Sequence, residues 1–491
     1  MNKRAPRILT TTLALLALLA TALVATSPAA ADDEPTYTRD IAPIFFKNCV
    51  QCHRTGEVAP MSLMTYREAR PWARSIARAV ENRDMPPWSG ESENHVWSND
   101  LSLTASEIET IVDWAKSGGP QGDPADLPKA PTFPKGWKLG EPDFVVTLDS
   151  IEVPAEGDDL FPQQVIEGDP AASGVLGIWT AGMPPYVFPD GVGRRFGSKI
   201  RIIVDQHYHP IGEATRDASR IGLHFGEGEL EKEVITIPVT NTGLRIPPGA
   251  GHHAENAHYL FDKDVQILAF SPHMHVRGKA MSYEVTYPDG SKEMLLDVPN
   301  YDYNWQWLYY PTRPIDIPAG SRLDVTAVWD NSEDNPANPD PTQEIIYRGD
   351  TFSEMFNGFI EVTRKEGVLF EQQNQREQIL DLLALHPAKD SYVSGAFMGF
   401  HVPHEGEGWL YMGGIYSIVL DDFEWQGDAL RITTQFPTLN ASATTTVIEG
   451  RLNEQGQLQG TVTIGADTDR PQQMPLLAEP VGGGTASSAG P

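Results

Sequence analysis

Two groups of residues in this chain have the types and spacing to handle electrons and metals. The first is Cys49-Val50-Gln51-Cys52-His53, which contains the only two cysteines of the 491 residues. Thiols three apart can each add to one porphyrin vinyl group, and the histidine directly after the second is then placed beneath the iron. A disulfide or a thioredoxin-like redox pair is the competing reading, but a redox pair belongs at a helix start after a strand, and no βαβ pattern surrounds this one. One covalently held haem c, bound through Cys49, Cys52 and His53, is therefore expected. The second group is His207 and His209, His273 and His275, and Met355. Residues i and i+2 of a strand point the same way, so His273 and His275 can offer two imidazoles to one metal. Taken alone, each His pair reads more readily as hydrogen-bonded or exposed histidines than as a site, and Met355 as core.

Three short helices are expected around the CxxCH segment. Thr38 is a candidate N-cap for a helix from about Asp40 into Cys49. Ala69, Trp72, Ala73, Ile76, Ala77 and Val80 step at three and four residues and predict a helix over Tyr66 to Asn82. Thr104 and Glu107 form a capping box for a third helix that Gly118-Gly119 ends. Met85, in Met85-Pro86-Pro87-Trp88, is the candidate sixth ligand of the haem iron, with Met61, Met64 and His95 as competitors. Prolines 124, 128, 131 and 134 mark a stiff linker over 124–140.

Beyond it the texture turns to β. Phe144 to Leu148, Lys199 to Val204 and Ile267 to His275 are alternating or continuous apolar runs between Gly, Pro and Asp turns. Glu371 to Leu385 could form a helix, and Ser391 to about Ala478 reads as a small sandwich or barrel. His401 and His404 lie in it near Trp409 and read as loop histidines. Gly482 to Pro491 is a glycine-rich, small polar tail.

Lys3, Arg4 and Arg7, the apolar run Leu13 to Val24, and Ala29-Ala30-Ala31 compose a cleavable export signal over 1–31. No membrane anchor is expected, and the compartment is periplasmic or secreted. The net charge of −30 becomes −33 once the three cationic leader residues are lost. So acidic a chain is repelled by nucleic acid and by anionic membranes, and suits a basic electron donor or simple solubility.

Taken together, Gln206-His207-Tyr208-His209-Pro210, Ser271-Pro272-His273-Met274-His275-Val276-Arg277-Gly278-Lys279 and Glu354-Met355-Phe356-Asn357 resemble the type II copper, ascorbate-dependent monooxygenases, the group of peptidylglycine α-hydroxylating and dopamine β-monooxygenases. The resemblance covers roughly residues 141–365. Upstream, CxxCH with Met-Pro-Pro-Trp is similar to cytochrome modules fused to bacterial members of that group. The resemblance implies a multidomain chain: a small all-α cytochrome c domain (32–123), a shortened first β-domain (141–229), and a second (230–370), both all-β and jelly-roll-like. A β-rich C-terminal domain (386–480) and the tail (481–491) follow.

By the same resemblance His273, His275 and Met355 match the catalytic copper ligands, and His207 one ligand of a second, electron-donating copper. The adjacent histidine pair that would complete the second site is missing, since no histidine lies between Trp137 and Asp205. His209 could pair with His207, whereas His252 and His253 read as loop residues; the second copper is absent or rebuilt. The implied activity is C–H hydroxylation with O2 on a small-molecule or peptide-like substrate, with electrons from a periplasmic donor entering through the haem. The alternative is a haem and copper electron carrier without turnover.

Overall fold

The computed structural model describes residues 34–166, 176–180, 182–195, 202–261, 263–364, 391–394, 398–404, 408–412, 416–420, 422–437, 443–466 and 471–480. The leader, the stretch expected as a helix over Glu371 to Leu385, and the tail lie outside them. The protein is β-rich, with few and short helices. Its contacts divide it into two compact units, one holding the described residues up to Pro86 and Leu103–Pro131, the other Pro87–Ser102 and everything from Thr132 onward.

The first unit is helical. A π-turn at Tyr37–Ile41 leads into α1 (Ala42–Asn48). The N-cap position of the π-turn is Thr36 and that of α1 is Ile41; Thr38 lies inside the turn, and its hydroxyl donates to the Gln121 carbonyl at 3.0 Å. The periodicity over 66–82 is split in three: α2 (Tyr66–Ala69), a 3-10 turn at Arg70–Trp72, and α3 (Ala73–Glu81). Pro71 causes the break, because it has no N–H and crowds the preceding turn. In α4 (Ala105–Lys116) the capping box is complete, with Thr104 Oγ1 accepting from Glu107 N and Glu107 Oε2 accepting from Thr104 N. Tyr37, Ile41, Phe45, Ile111 and Trp114 are buried and form the core. Phe45 and Trp114 meet edge to face at 6.3 Å.

The heart of the second unit is a sandwich of eight strands: β1 (Ile235–Thr240), β2 (His253–Leu260), β3 (Val265–His273), β4 (Gly278–Thr286), β5 (Lys292–Val298), β6 (Ile315–Ile317), β7 (Arg322–Trp329) and β8 (Asn357–Arg364). They form two antiparallel sheets, β6-β3-β8-β1 and β2-β7-β4-β5. In β7 every second side chain is buried, the alternation of a strand with one face on a core. Phe270 of β3 meets Tyr283 of β4 with centroids 5.1 Å apart. The sheets approach so closely that a Cβ on Gly358 would sit 2.7 Å from Val325 Cγ1. A bulge between Ile267 and Ala269 shifts the register of β3 against β8, after which His273 lies opposite Asn357.

Residues 87–102 are stitched onto this sandwich. Glu91 and Asp297 exchange two backbone hydrogen bonds of 2.7 and 2.9 Å, and Trp97 packs on Phe270 at 6.0 Å.

Residues 141–229 are much thinner. Phe144–Thr147 pairs with Arg220–Leu223, Ile151–Val153 with Thr215–Asp217, and Gln163–Ile166 with Ile202–Asp205. These are nested two-stranded ladders. Val165 and Ile203, directly opposite each other, are both nearly half exposed.

At the C-terminal end, nine described strands from Ser391–Ser394 to Gln472–Pro480 form one antiparallel sheet. Its two outermost strands, Tyr416–Leu420 and Asp422–Gln426, are consecutive in the chain, so the sheet must roll up on itself. Trp425 on the last of these reaches across and donates its indole N–H to the Val402 carbonyl at 2.9 Å.

Candidate metal centre

His273 closes β3 and His275 follows in the turn toward β4. Between them Met274 is fully buried, and the Tyr301 hydroxyl both accepts from its N–H at 3.0 Å and donates to its carbonyl at 2.7 Å. With the middle residue pinned inward, both flanking imidazoles project from the other face, and their ring centroids are 5.2 Å apart.

Each imidazole is held by its Nδ1. His273 Nδ1 is 2.6 Å from Gln306 Oε1, and Gln306 Nε2 donates to the Tyr303 carbonyl, which fixes the amide's orientation. His275 Nδ1 donates to the Ser353 carbonyl at 3.1 Å. Both acceptors place the proton on Nδ1 and leave the Nε2 lone pair available, the arrangement that orients histidine ligands in metal sites. Burial lowers both basicities, that of His275 to about 3, with its neighbour His273 adding to the effect. At neutral pH the chain therefore presents two uncharged imidazoles, which a cation need not strip of protons.

Sheet pairing brings the segment that carries Met355 beside the histidines. His275 N donates to Glu354 Oε2 at 2.7 Å, and His273 is the register partner of Asn357, so the segment 353–357 runs alongside both histidines. Met355 is buried, and its sulfur accepts from Asn357 Nδ2 at 3.4 Å. Asn357 is itself fixed by Tyr347 Oη and Thr240 Oγ1, both donating to its Oδ1. No group of three or more His, Cys, Asp or Glu side chains able to hold a metal exists among the described residues.

His207 is exposed beside Phe161, whose ring it meets at 4.9 Å, and its charge would depress the basicity of both His273 and His275. The structure thus brings His207 within electrostatic range of the pair. His209 is mostly exposed and sits 2.7 Å from Asp159. His253 Nε2 lies 3.0 Å from Glu255 at the start of β2, and His404 stacks on Trp425 at 4.9 Å.

In the helical unit the CxxCH segment caps α1. The His53 and Cys52 amides donate to the Cys49 carbonyl, and the two cysteines are not joined in a disulfide. Burial, followed by Cys52 and Glu107, pushes the Cys49 thiol up to about 12. His53 Nδ1 lies 3.3 Å from the Met61 carbonyl, while Leu63 N donates to the His53 carbonyl, so the loop 59–63 wraps the Nδ1 side of the ring. The contact is made by the Met61 backbone carbonyl, on the Nδ1 edge of the imidazole. His95 belongs to the β unit, 3.2 Å from Glu293. Met85 follows α3, its N–H donating to the Ala79 carbonyl.

Sequence reasoning missed Gln306, Tyr301 and Glu354. Glu354 is fully buried and accepts three N–H groups, and burial pushes it up to about 7 against their pull. Only the pairing of distant segments reveals such partners; no local pattern marks them.

No protein-family model matches the chain, and no curated protein matches it. Among solved structures, the VP2 subviral particle of infectious bursal disease virus is 13% identical with a TM-score of 0.17, over 28% of this chain and 34% of that one. The same virus's Gx strain gives 12% identity and a TM-score of 0.18, over 45% of this chain and 57% of the other. The chain thus spans a third to somewhat over half of those capsid chains, and likenesses this slight inform neither fold nor function. No helix among the described residues is long and apolar enough to cross a membrane.

Proposed function

We propose that this chain is an exported haem- and copper-binding redox protein, a copper-dependent monooxygenase that takes electrons through its own c-type haem. The observation that carries the reading is the pair His273 and His275, side by side and largely shielded from solvent, with both Nδ1 atoms held by protein oxygens. An imidazole pair orders in this way at a cost in desolvation and side-chain entropy that a plain β-sandwich has no reason to bear.

The residues present fit copper: two neutral imidazoles and, just before the adjoining strand β8, a thioether fixed by Asn357. Copper held there would supply oxygen activation for hydroxylating a C–H bond, a reaction that draws two electrons from outside. The chain's own contribution is to hold the ligand atoms. Tyr301 fixes the backbone between the histidines, Gln306 and Ser353 fix the rings, and Asn357 fixes the thioether. In the helical unit, Cys49 and Cys52 would carry haem c as thioethers, with His53, held at Nδ1 by the Met61 carbonyl, and Met85 as the proposed ligands of its iron.

The helical unit is read as a cytochrome c domain, and the two four-stranded sheets as the jelly-roll-like second domain of the copper monooxygenases. His207 is proposed as the surviving ligand of an electron-donating copper site whose other imidazoles this chain lacks. Substrate, O2 and a periplasmic donor are its proposed partners.

Oxygen uptake under an artificial reductant, measured on haem-loaded protein with and without copper, tests the proposal. Uptake that appears only with copper and disappears in His273→Ala supports it. Uptake indifferent to copper removes the monooxygenase reading, and copper binding without any uptake favours the electron carrier.

A further inference from the structure

We propose that Glu354 is a positioning residue for the copper ligands, tying the strand end that bears His273 and His275 to the segment that bears Met355. The inference rests on the copper reading above and adds a residue to it.

Glu354 has no exposed surface, yet none of its bonds serves a surface ion pair. Oε2 accepts from His275 N at 2.7 Å and from Trp329 Nε1 at 3.1 Å, and Oε1 accepts from Arg277 N at 2.6 Å. All three partners are donors, and a carboxylate is the one side chain of this length that offers acceptors on both arms. The residue before it turns the His275 ring through the Ser353 carbonyl, and the residue after it is Met355. One side chain and its two neighbours therefore set the backbone of His275, the ring of His275 and the place of the thioether.

Sandwich stability alone does not call for this arrangement. A buried carboxylate gives up its hydration, and well-packed apolar residues of similar volume serve a core as well or better. The carboxylate is better accounted for by what its bonds fix: two metal-ligating segments 79 residues apart in sequence. Ligand sets held by such outer partners lose about 10–100-fold in metal affinity when the partner is changed.

Glu354→Gln tests this. Its amide nitrogen must face one of three N–H donors, so at least one bond breaks while volume is kept. Copper(I) affinity, from competition against a chromogenic chelator, is expected to fall about 10–100-fold, with the Cu(II) electron paramagnetic resonance spectrum shifted and haem content unchanged. Val325→Ala, a cavity in the core between the sheets, is the comparison for stability loss alone. It should lower the melting temperature and leave copper affinity within about twofold, as for independent sites. If Glu354→Gln does not fold, Glu354→Asp keeps the charge but falls short of spanning both amides, and the same loss is read there. Glu354 variants that bind copper like the parent overturn the inference and leave the copper reading standing. Equal losses in Val325→Ala overturn it too, and a parent chain that binds no copper overturns both.

Discussion

The two β regions flanking residue 230 carry similar histidine spacings, His207-x-His209 and His273-x-His275, in very different surroundings. The second pair closes a strand of a two-sheet sandwich. Its middle residue is pinned by Tyr301, and each ring is held by a named oxygen. The first pair follows a two-stranded ladder with exposed Val165 and Ile203 on it, and its second member turns out to solvent beside Asp159. A His-x-His pattern is thus common ground for two outcomes. What separates them is the layer behind the strand, because only a buried backing supplies the tethers that fix an imidazole's tautomer and direction.

The sharpest way to break this contrast is His273→Ala. It should abolish copper retention by the β unit, a loss of more than about 100-fold, with covalent haem unaffected. Metal analysis after gel filtration reads it, and retained copper would place the site elsewhere. Met355→Ala comes next. Copper(I) retention should weaken about tenfold or more while haem stays, and loss of the buried side chain should cost about 2–5 kcal/mol of stability. Chelator competition and chemical denaturation give the two numbers, and unchanged copper(I) affinity would deny the sulfur a role.

The buried pair should also leave a mark on stability against pH. His275 binds a proton in the folded chain only near pH 3, whereas the unfolded chain takes one up near its ordinary value of 6.5. Between those values the unfolded state holds the extra proton, so stability rises with pH through the window and falls as pH drops. At pH 5 the deficit attributable to His275 is about 2 kcal/mol. Melting of metal-free protein at pH 5 and pH 8, with His275→Gln as reference, measures it; equal slopes would show His275 to be freely titrating. The smallest expected effect is that of His207→Ala, because His207 bears on the pair through long-range charge alone. Copper affinity at the second pair should change by about threefold or less. A larger loss would make His207 a direct ligand and erase the contrast.

How much of this was legible beforehand differs by element. The capping box at Thr104 and Glu107 is local, and it stands as read. Periodicity predicts one helix over 66–82 because it cannot register that Pro71 removes a donor and tightens the turn. His273 and His275 are visible as a pair because strand geometry alone makes i and i+2 neighbours. Nothing local ties them to Met355; only the pairing of β3 with β8 does, and family resemblance stood in for that pairing. Gln306, Tyr301 and Glu354 escaped entirely. Their roles arise from loops between strands, where burial and hydrogen bonding are decided by tertiary contact. Residues 87–102, read as part of the helical stretch, pack instead in the β unit, because Trp88 and Trp97 find an apolar face around Phe270 and Tyr309.

The most direct measurement is the iron and copper content of purified, copper-loaded and desalted protein. One covalent haem and one copper per chain, with the copper lost in His273→Ala and the haem kept, is the expected result. Stoichiometric haem with copper never above background, under loading that saturates a known copper protein, would contradict the central claim that His273, His275 and Met355 form a metal site.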